Sequence, residues 1–216
     1  MVHHLGNQNS LLNTFIAELR DAHIQQDPLR FRRNLERIGG CMAYEMSKTF
    51  AYEPREVTTP MGTALCALPT DRVVLATILR AGLPLHNGML QYFDRAQNAF
   101  ISAYRKHHKD GSFDIKLEYI SCPELDNTTL ILSDALLATG ASMSLAIQEL
   151  KAHGTPTQMH IATVIASVEG LEYIQRLYPE VHIWLGAVDE ELTAKSYIVP
   201  GLGDAGDLSF GAKLQD

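Results

Sequence analysis

Cysteine is scarce in this chain: 216 residues contain three, Cys41, Cys66 and Cys122, widely spaced and without a CxxC pair. An odd, scattered set argues against a disulfide framework or a zinc knuckle and fits free thiols in a reducing compartment. Long apolar runs are missing too. None approaches the roughly 18 residues of a membrane span, and the opening MVHHLGNQNS lacks the apolar core of an export signal. A cytoplasmic location and no membrane partner are therefore expected. Basic residues are outnumbered, with 18 Lys and Arg against 25 Asp and Glu, a formal charge of −7. That balance argues against nucleic-acid binding, although a local basic patch can still hold phosphates. The chain has no GxxxxGK[ST] loop, no D-x-[DN]-x-[DN]-G calcium loop and no evident Ser/His/Asp or Cys/His constellation.

What is present is ordinary for a globular protein: 46% apolar and 20% charged residues, with no repeat, low-complexity tract or linker. One continuous domain over residues 1–216 is expected, its first 50 residues helical. Leu12, Phe15, Ile16 and Leu19 fall at helix-face spacing after a possible cap at Asn9 or Ser10. Asp27-Pro28 is a helix start, with Asp as cap and Pro in the first turn. Leu35, Ile38, Met42 and Met46 then continue an apolar stripe suited to core or to a subunit interface.

Beyond Pro60 the pattern changes. Val73–Leu79 (VVLATIL) is a continuous β-rich run, the mark of a strand buried on both faces. Pro84 opens a helix with Leu85, Met89 and Leu90. Strands are expected at 99–104, 114–120, 128–132, 160–166 and 181–188, and helices from Met143 to Leu150 and over 170–178. This alternation predicts an α/β fold: a mainly parallel twisted sheet flanked by helices. Ligands of such sheets bind at the carboxyl ends of the strands, here the loops after residues 79, 132 and 188.

Four loops could carry chemistry. LILSDALLATGAS (130–142) delivers Asp134 from a strand and presents Thr139, Gly140 and Ser142 at a helix start. Free N–H groups, hydroxyls and the helix dipole there suit a phosphate; equally, Thr139 or Ser142 could simply cap the helix. YIVPGLGDAGD (197–207) sets Gly201, Gly203 and Gly206 around Asp204. It follows no predicted strand and no helix obviously follows it, so it is a turn cluster or a backbone surface for a flat ligand rather than a dinucleotide fingerprint. Arg80, at a strand end, could pair with a carboxylate or a phosphate. Arg105-Lys106-His107-His108-Lys109 reads as a solvated loop, and its adjacent histidines are poor metal geometry.

Taken together and in this order, LRAGL (79–83), YR (104–105), DALLATGAS (134–142) and YIVPGLGDAGD (197–207) resemble the motifs of the uracil phosphoribosyltransferase family. FRRNLERIG (31–39), AYE (43–45) and EVTTP (56–60) are similar to it as well, so the resemblance spans residues 30–211. It implies a phosphoribosyltransferase-like fold with an N-terminal helical segment and a C-terminal base-binding loop over 189–211. The implied reaction is magnesium-dependent transfer of the phosphoribosyl group from 5-phosphoribosyl 1-diphosphate to uracil, forming uridine monophosphate in pyrimidine salvage.

By that resemblance Ala138, Thr139, Gly140, Ala141 and Ser142 cradle the 5′-phosphate, Asp134 holds the ribose hydroxyls, and Arg80 and Arg105 contact the diphosphate. Main-chain groups of Ile198, Gly203 and Ala205 read uracil, Tyr197 closes the site, and Asp204 stands near the magnesium ion, directly or through water. A homodimer or higher homo-oligomer is implied. Departures from the pattern are Ala135 for a proline, Ala141 for a second glycine, Lys106 for an acid, and Leu208-Ser209 for an arginine-containing pair. Two other readings stay open at this point: a non-catalytic binding or regulatory protein, and a phosphoribosyltransferase for another base.

Overall fold

The computed structural model describes residues 1–107 and 113–213, and the side chains of these outside 103–117. The chain opens with strand β1 (Val2–His4) and helices α1 (Leu11–Arg20) and α2 (Pro28–Ser47), followed by a hairpin of β2 (Tyr52–Thr59) and β3 (Gly62–Pro69). Next come β4 (Val73–Leu79), α3 (Leu83–Leu90), β5 (Gln97–His107), β6 (Phe113–Ser121), β7 (Thr129–Leu137) and α4 (Ala141–Leu150). The last part contains β8 (Gln158–Ser167), α5 (Val168–Leu177), β9 (His182–Asp189), β10 (Glu191–Leu192), β11 (Ile198–Val199) and α6 (Ala205–Phe210). Among the described residues no helix is long and apolar enough to cross a membrane.

The central sheet has the order β1-β9-β8-β7-β4-β5-β6. All neighbours in it are parallel except β5 and β6 at one edge. Successive residues of its inner strands feed two different cores. Leu75, Ile131, Ala162 and Trp184 pack with α1, α2 and α3 on one face. Val74, Ala76, Leu130, Leu132, Ile161 and Ile183 pack with α4 and α5 on the other. This two-sided burial is the reason that the strands read as unbroken apolar runs rather than alternating ones.

The helix starts are local chemistry. Ser10 Oγ accepts the Leu12 N–H at 3.3 Å, and Asp27 Oδ1 accepts those of Leu29 and Arg30 at 2.9 and 3.2 Å. The apolar stripe of α2 turns inward: Leu35, Ile38, Met42 and Met46 are fully buried in the chain's own core, as is Leu19 of α1. That stripe is therefore core, not subunit interface.

Several elements depart from the sequence reading. β1 joins the far edge of the sheet through pairing with β9, although it is too short to carry a periodic signal. The β2–β3 hairpin had no alternating pattern to announce it, because nearly all its residues are exposed or half-exposed. β5 and β6 run on to His107 and from Phe113, pairing across much of the polar segment expected as a loop. β7 continues to Leu137, five residues past the expected end. Its ladder with β4 ends at Thr77 and Ser133, although β4 runs on to Leu79 against β5, while β8 keeps pairing β7 through Asp134, Leu136 and Leu137.

At the amino ends of the strands an aromatic cluster closes the sheet. His3 stacks on Trp184 with ring centroids 3.8 Å apart, and Trp184 Nε1 donates to Nδ1 of buried His160 at 3.0 Å. Burial, then the neighbouring His182 and His3, push the His160 pKa down to about 4. His160 is thus neutral in the fold and charges near pH 6.5 when unfolded. Its neutral form favours the native state fully above pH 6.5, and that advantage is lost as pH falls from 6.5 towards 4. Thermal melts should show stability declining across that window. His160→Gln, which keeps an acceptor for Trp184, should flatten the decline; parallel curves for the two proteins would refute this origin.

Candidate active site

A cavity of about 640 Å³ opens at the carboxyl end of the sheet, between the ends of β4 and β7. From β4 the chain crosses to β5 on one side, and from β7 it crosses to β8 on the other. The cavity therefore lies where the strand order reverses, the position at which open α/β sheets bind ligands.

One wall is the β7–α4 turn. β4 pairs β7 only as far as Thr77 with Ser133, so Asp134 is the first β7 residue beyond that ladder and stands on the cavity wall. Ala138, Thr139, Gly140 and Ser142 line the same wall; Ala141 does not. Gly140 caps α4 in the left-handed region (φ 80°) without any side-chain cap bond. Ser142 is thus no cap, and Thr139 Oγ1 makes only a long contact, 3.4 Å, to Ala141 N–H. The turn is braced from behind by α5, where Ser167 Oγ donates to the Ala138 carbonyl and accepts the Gly170 N–H at 2.9 Å.

The opposite wall is the 197–207 segment. Tyr197, Ile198, Gly203, Asp204 and Ala205 all face the cavity. The segment itself contains a strand, β11, and, contrary to expectation, runs into a helix, α6. Both are too short to stand out as periodic patterns. Asp204 caps α6, its Oδ1 accepting the Asp207 N–H at 3.0 Å. Gly201 (φ 53°) approaches Ile198 so closely that a Cβ would lie 2.1 Å from the Ile198 carbonyl oxygen. The Gly201 N–H donates to Asp189 Oδ2 at 2.8 Å, and its carbonyl accepts from Arg20 at 2.8 Å.

The floor is the turn after β4. Arg80 lies on the cavity wall, with Nη2 2.8 Å from Asp207 Oδ1 and Nη1 donating to the Gly211 carbonyl at 3.2 Å. Both sequence alternatives for Arg80 thus share one geometry: a carboxylate partner beside an open cavity. Arg105 has its backbone in β5, paired with Ile115, while its side chain is outside the described set, as are those of Lys106, His107 and His108. Among the described residues no group of three or more His, Cys, Asp or Glu side chains is arranged to hold a metal.

The substitutions find specific settings. The positive φ of the phosphate-loop pattern belongs to Gly140, and Ala141 is the first residue of α4, where a methyl meets no backbone constraint. Ala135 is buried in β7. In place of an arginine at 208–209, Leu208 packs on the core and Ser209 offers its carbonyl to Arg32 Nη1 at 2.6 Å. Sequence reasoning missed Ala194, Lys195 and Ser196, which share the wall with Tyr197, and Lys213. Adjacency to the glycine-rich run was the only signal for the first three.

A family model described as uracil phosphoribosyltransferase matches residues 6–212. The chain belongs to the uracil phosphoribosyltransferase family. A uracil phosphoribosyltransferase of Porphyromonas gingivalis is 55% identical over 212 residues, 98% of each chain. One from Thermococcus gammatolerans is 39% identical over 203 residues, 93% of this chain and 89% of that one. A solved structure of an Aquifex aeolicus protein superposes with a TM-score of 0.88 at 31% identity over the full length of both chains. The adenine phosphoribosyltransferase of Trypanosoma brucei is similar in fold, with a TM-score of 0.55 at 12% identity, over 90% of this chain and 86% of that one. Within the family pattern, residues 134–142 and 197–207 are the two facing walls of one cavity.

The left-handed turn should tolerate substitution unequally. Gly140→Ala places a Cβ 2.8 Å from Tyr173 Cδ1 in a backbone region that L-residues avoid, a cost of about 1–2 kcal/mol or more. Ala141→Gly should cost no more than about 1 kcal/mol. Urea unfolding midpoints of the two variants check the order; equal midpoints would refute the assignment of the turn.

Proposed function

We propose that the chain transfers the phosphoribosyl group of 5-phosphoribosyl 1-diphosphate to uracil, giving uridine monophosphate and diphosphate. The observation that carries this is the facing of two walls across one cavity: a left-handed phosphate-type turn on one side and the YIVPGLGDAGD segment on the other. In the reaction uracil N1 forms a bond to the anomeric carbon, the bond from that carbon to the diphosphate oxygen breaks, and the N1 proton is released. The protein's part is to orient the two reactants and to stabilise charge on the departing diphosphate.

The residues divide that work. Main-chain N–H groups of 138–142 receive the 5′-phosphate at the α4 start, and the Thr139 and Ser142 hydroxyls add donors. Asp134 accepts from the ribose hydroxyls. Arg80 has five N–H donors; Asp207 and Gly211 engage two of its nitrogens, and its place on the cavity wall lets the guanidinium also meet the diphosphate. Arg105 is assigned the same anion. On the other wall the backbone of Ile198, Gly203 and Ala205 reads the alternating donors and acceptors of uracil, and Tyr197, 43% exposed, covers it. Cytosine has an acceptor at N3 and a donor at the 4-position where uracil has a donor and an acceptor, and both would be left unmatched, which discriminates strongly.

Magnesium suits the hard carboxylate oxygens of this wall. Asp204, with Oδ1 committed to the Asp207 N–H, would hold it directly or through water, most of its ligands coming from the substrate. When bound, the ion neutralises charge on the diphosphate. The deciding assay is formation of uridine monophosphate from the two substrates with and without magnesium. Magnesium-dependent product is expected, and Asp204→Asn, which remains a good helix cap, should lower turnover at least about tenfold. No product from folded protein that still binds phosphoribosyl diphosphate would favour another base or a regulatory role.

We also propose that the chain is a homo-oligomer. With the apolar faces of α1 and α2 consumed by the core, the support lies in the β2–β3 hairpin, which exposes Val57, Met61, Leu65 and Leu68. Sedimentation of the wild type should give a dimer or larger particle, and Met61→Lys with Leu65→Lys should shift it towards monomer. A monomeric wild type would remove the proposal.

A further inference from the structure

Two charged residues outside the cavity hold its base-reading wall. Arg20 ends α1 and Asp189 ends β9, 169 positions apart in sequence. Their contact is bidentate, Arg20 Nη2 to Asp189 Oδ1 at 2.7 Å and Nη1 to Oδ2 at 2.8 Å. Both also grip Gly201: Asp189 Oδ2 accepts its N–H at 2.8 Å, and Arg20 Nη1 donates to its carbonyl at 2.8 Å. Asp189 is only 7% exposed, and Arg20 24%. Neither is among the cavity-lining residues.

We infer that the Arg20–Asp189 pair positions the base-reading loop, clamping both polar groups of Gly201 and through it the Ile198 carbonyl against which Gly201 is packed. The inference rests on the uracil reading given above. A loop that reads a base with its own backbone has no side chain to readjust, so its accuracy must come from whatever fixes the backbone. Short charge-assisted bonds to both groups of one residue supply that, and a misplacement of about 1 Å in reading groups can cost about a hundredfold in rate. Burial works to raise the Asp189 carboxyl, but the Arg20 hydrogen bonds, the Gly201 N–H and the Arg20 charge outweigh it and hold it below the usual aspartate range. The clamp is therefore ionised at neutral pH.

The test uses the full chain with Arg20→Gln, Arg20→Lys and the near-isosteric Asp189→Asn, each confirmed as folded by thermal melting. Steady-state kinetics separate KM for uracil from KM for phosphoribosyl diphosphate, and amide hydrogen exchange follows residues 198–203. For Arg20→Gln the expected result is a uracil KM raised about tenfold or more, an almost unchanged KM for the other substrate, and faster Gly201 exchange. Arg20→Lys should fall between, since an ammonium keeps the charge but cannot span the carboxylate and the Gly201 carbonyl as a planar fork does. Equal rises in both KM values, or an unchanged uracil KM in a folded Arg20→Gln or Asp189→Asn protein, would overturn the inference. Should the wild type make no uridine monophosphate, the functional reading falls, and exchange alone decides the clamp: faster at Gly201 in the variants upholds it, unchanged removes it.

Discussion

The parallel pairing of β4 with β7, from Val73 with Thr129 to Thr77 with Ser133, is the contact on which the rest of the architecture depends. Because chain connections leave this pair in opposite directions, α3 and α4 fall on opposite faces and a crevice must open at the shared carboxyl end. The two strands also end at different heights: pairing to β8 keeps β7 extended to Leu137 after the β4 ladder has stopped. Asp134 stands on the cavity wall at the point where the two strands stop pairing, while β4 is still paired to β5. The turn after β4 brings Arg80 to the same crevice, so one ladder positions both groups.

Around this crevice each reactive segment is short, and its stiffness is borrowed. The phosphate-type turn depends on Ser167 holding the Ala138 carbonyl. The glycine-rich wall depends on Arg20 and Asp189 at one end, and on Arg32 with the Ser209 carbonyl and Arg80 with Asp207 at the other. These supports come from α1, α2, β9 and the turn after β4, and all but β9 are distant in sequence from the wall. A buried ion pair brings a desolvation cost that often cancels its attraction. The Arg20–Asp189 pair is therefore better understood as a source of accuracy than of net stability. The same view covers Arg80–Asp207, whose partners are both more than a third exposed and contribute little in water.

Much of this was legible in the residues. The two-sided sheet followed from VVLATIL and its counterparts, the starts of α1 and α2 from the Asn9-Ser10 and Asp27-Pro28 pairs, and the two walls from DALLATGAS and YIVPGLGDAGD. What failed to show had physical causes. β1 has three residues and β10 and β11 two each, lengths at which no period exists. The β2–β3 hairpin buries too little to carry alternation. The end of β7 was misplaced because a strand stops where its partners stop, and Ser133-Asp134 bears no mark of how far β8 extends.

Composition, periodicity and motif chemistry by themselves determined the fold class and the family pattern, since each depends on residues close together in the chain. The tertiary structure alone decided that the two motif loops face one another across a single cavity. It also decided that Ala141 escapes the positive φ, that the α2 stripe is spent on the chain's own core, and that Arg20 meets Asp189 and Gly201. These are contacts between residues up to 181 positions apart. Such contacts are set by strand order and packing, in which an arginine's partner is whichever carboxylate the fold brings within hydrogen-bonding reach. No local pattern encodes that choice.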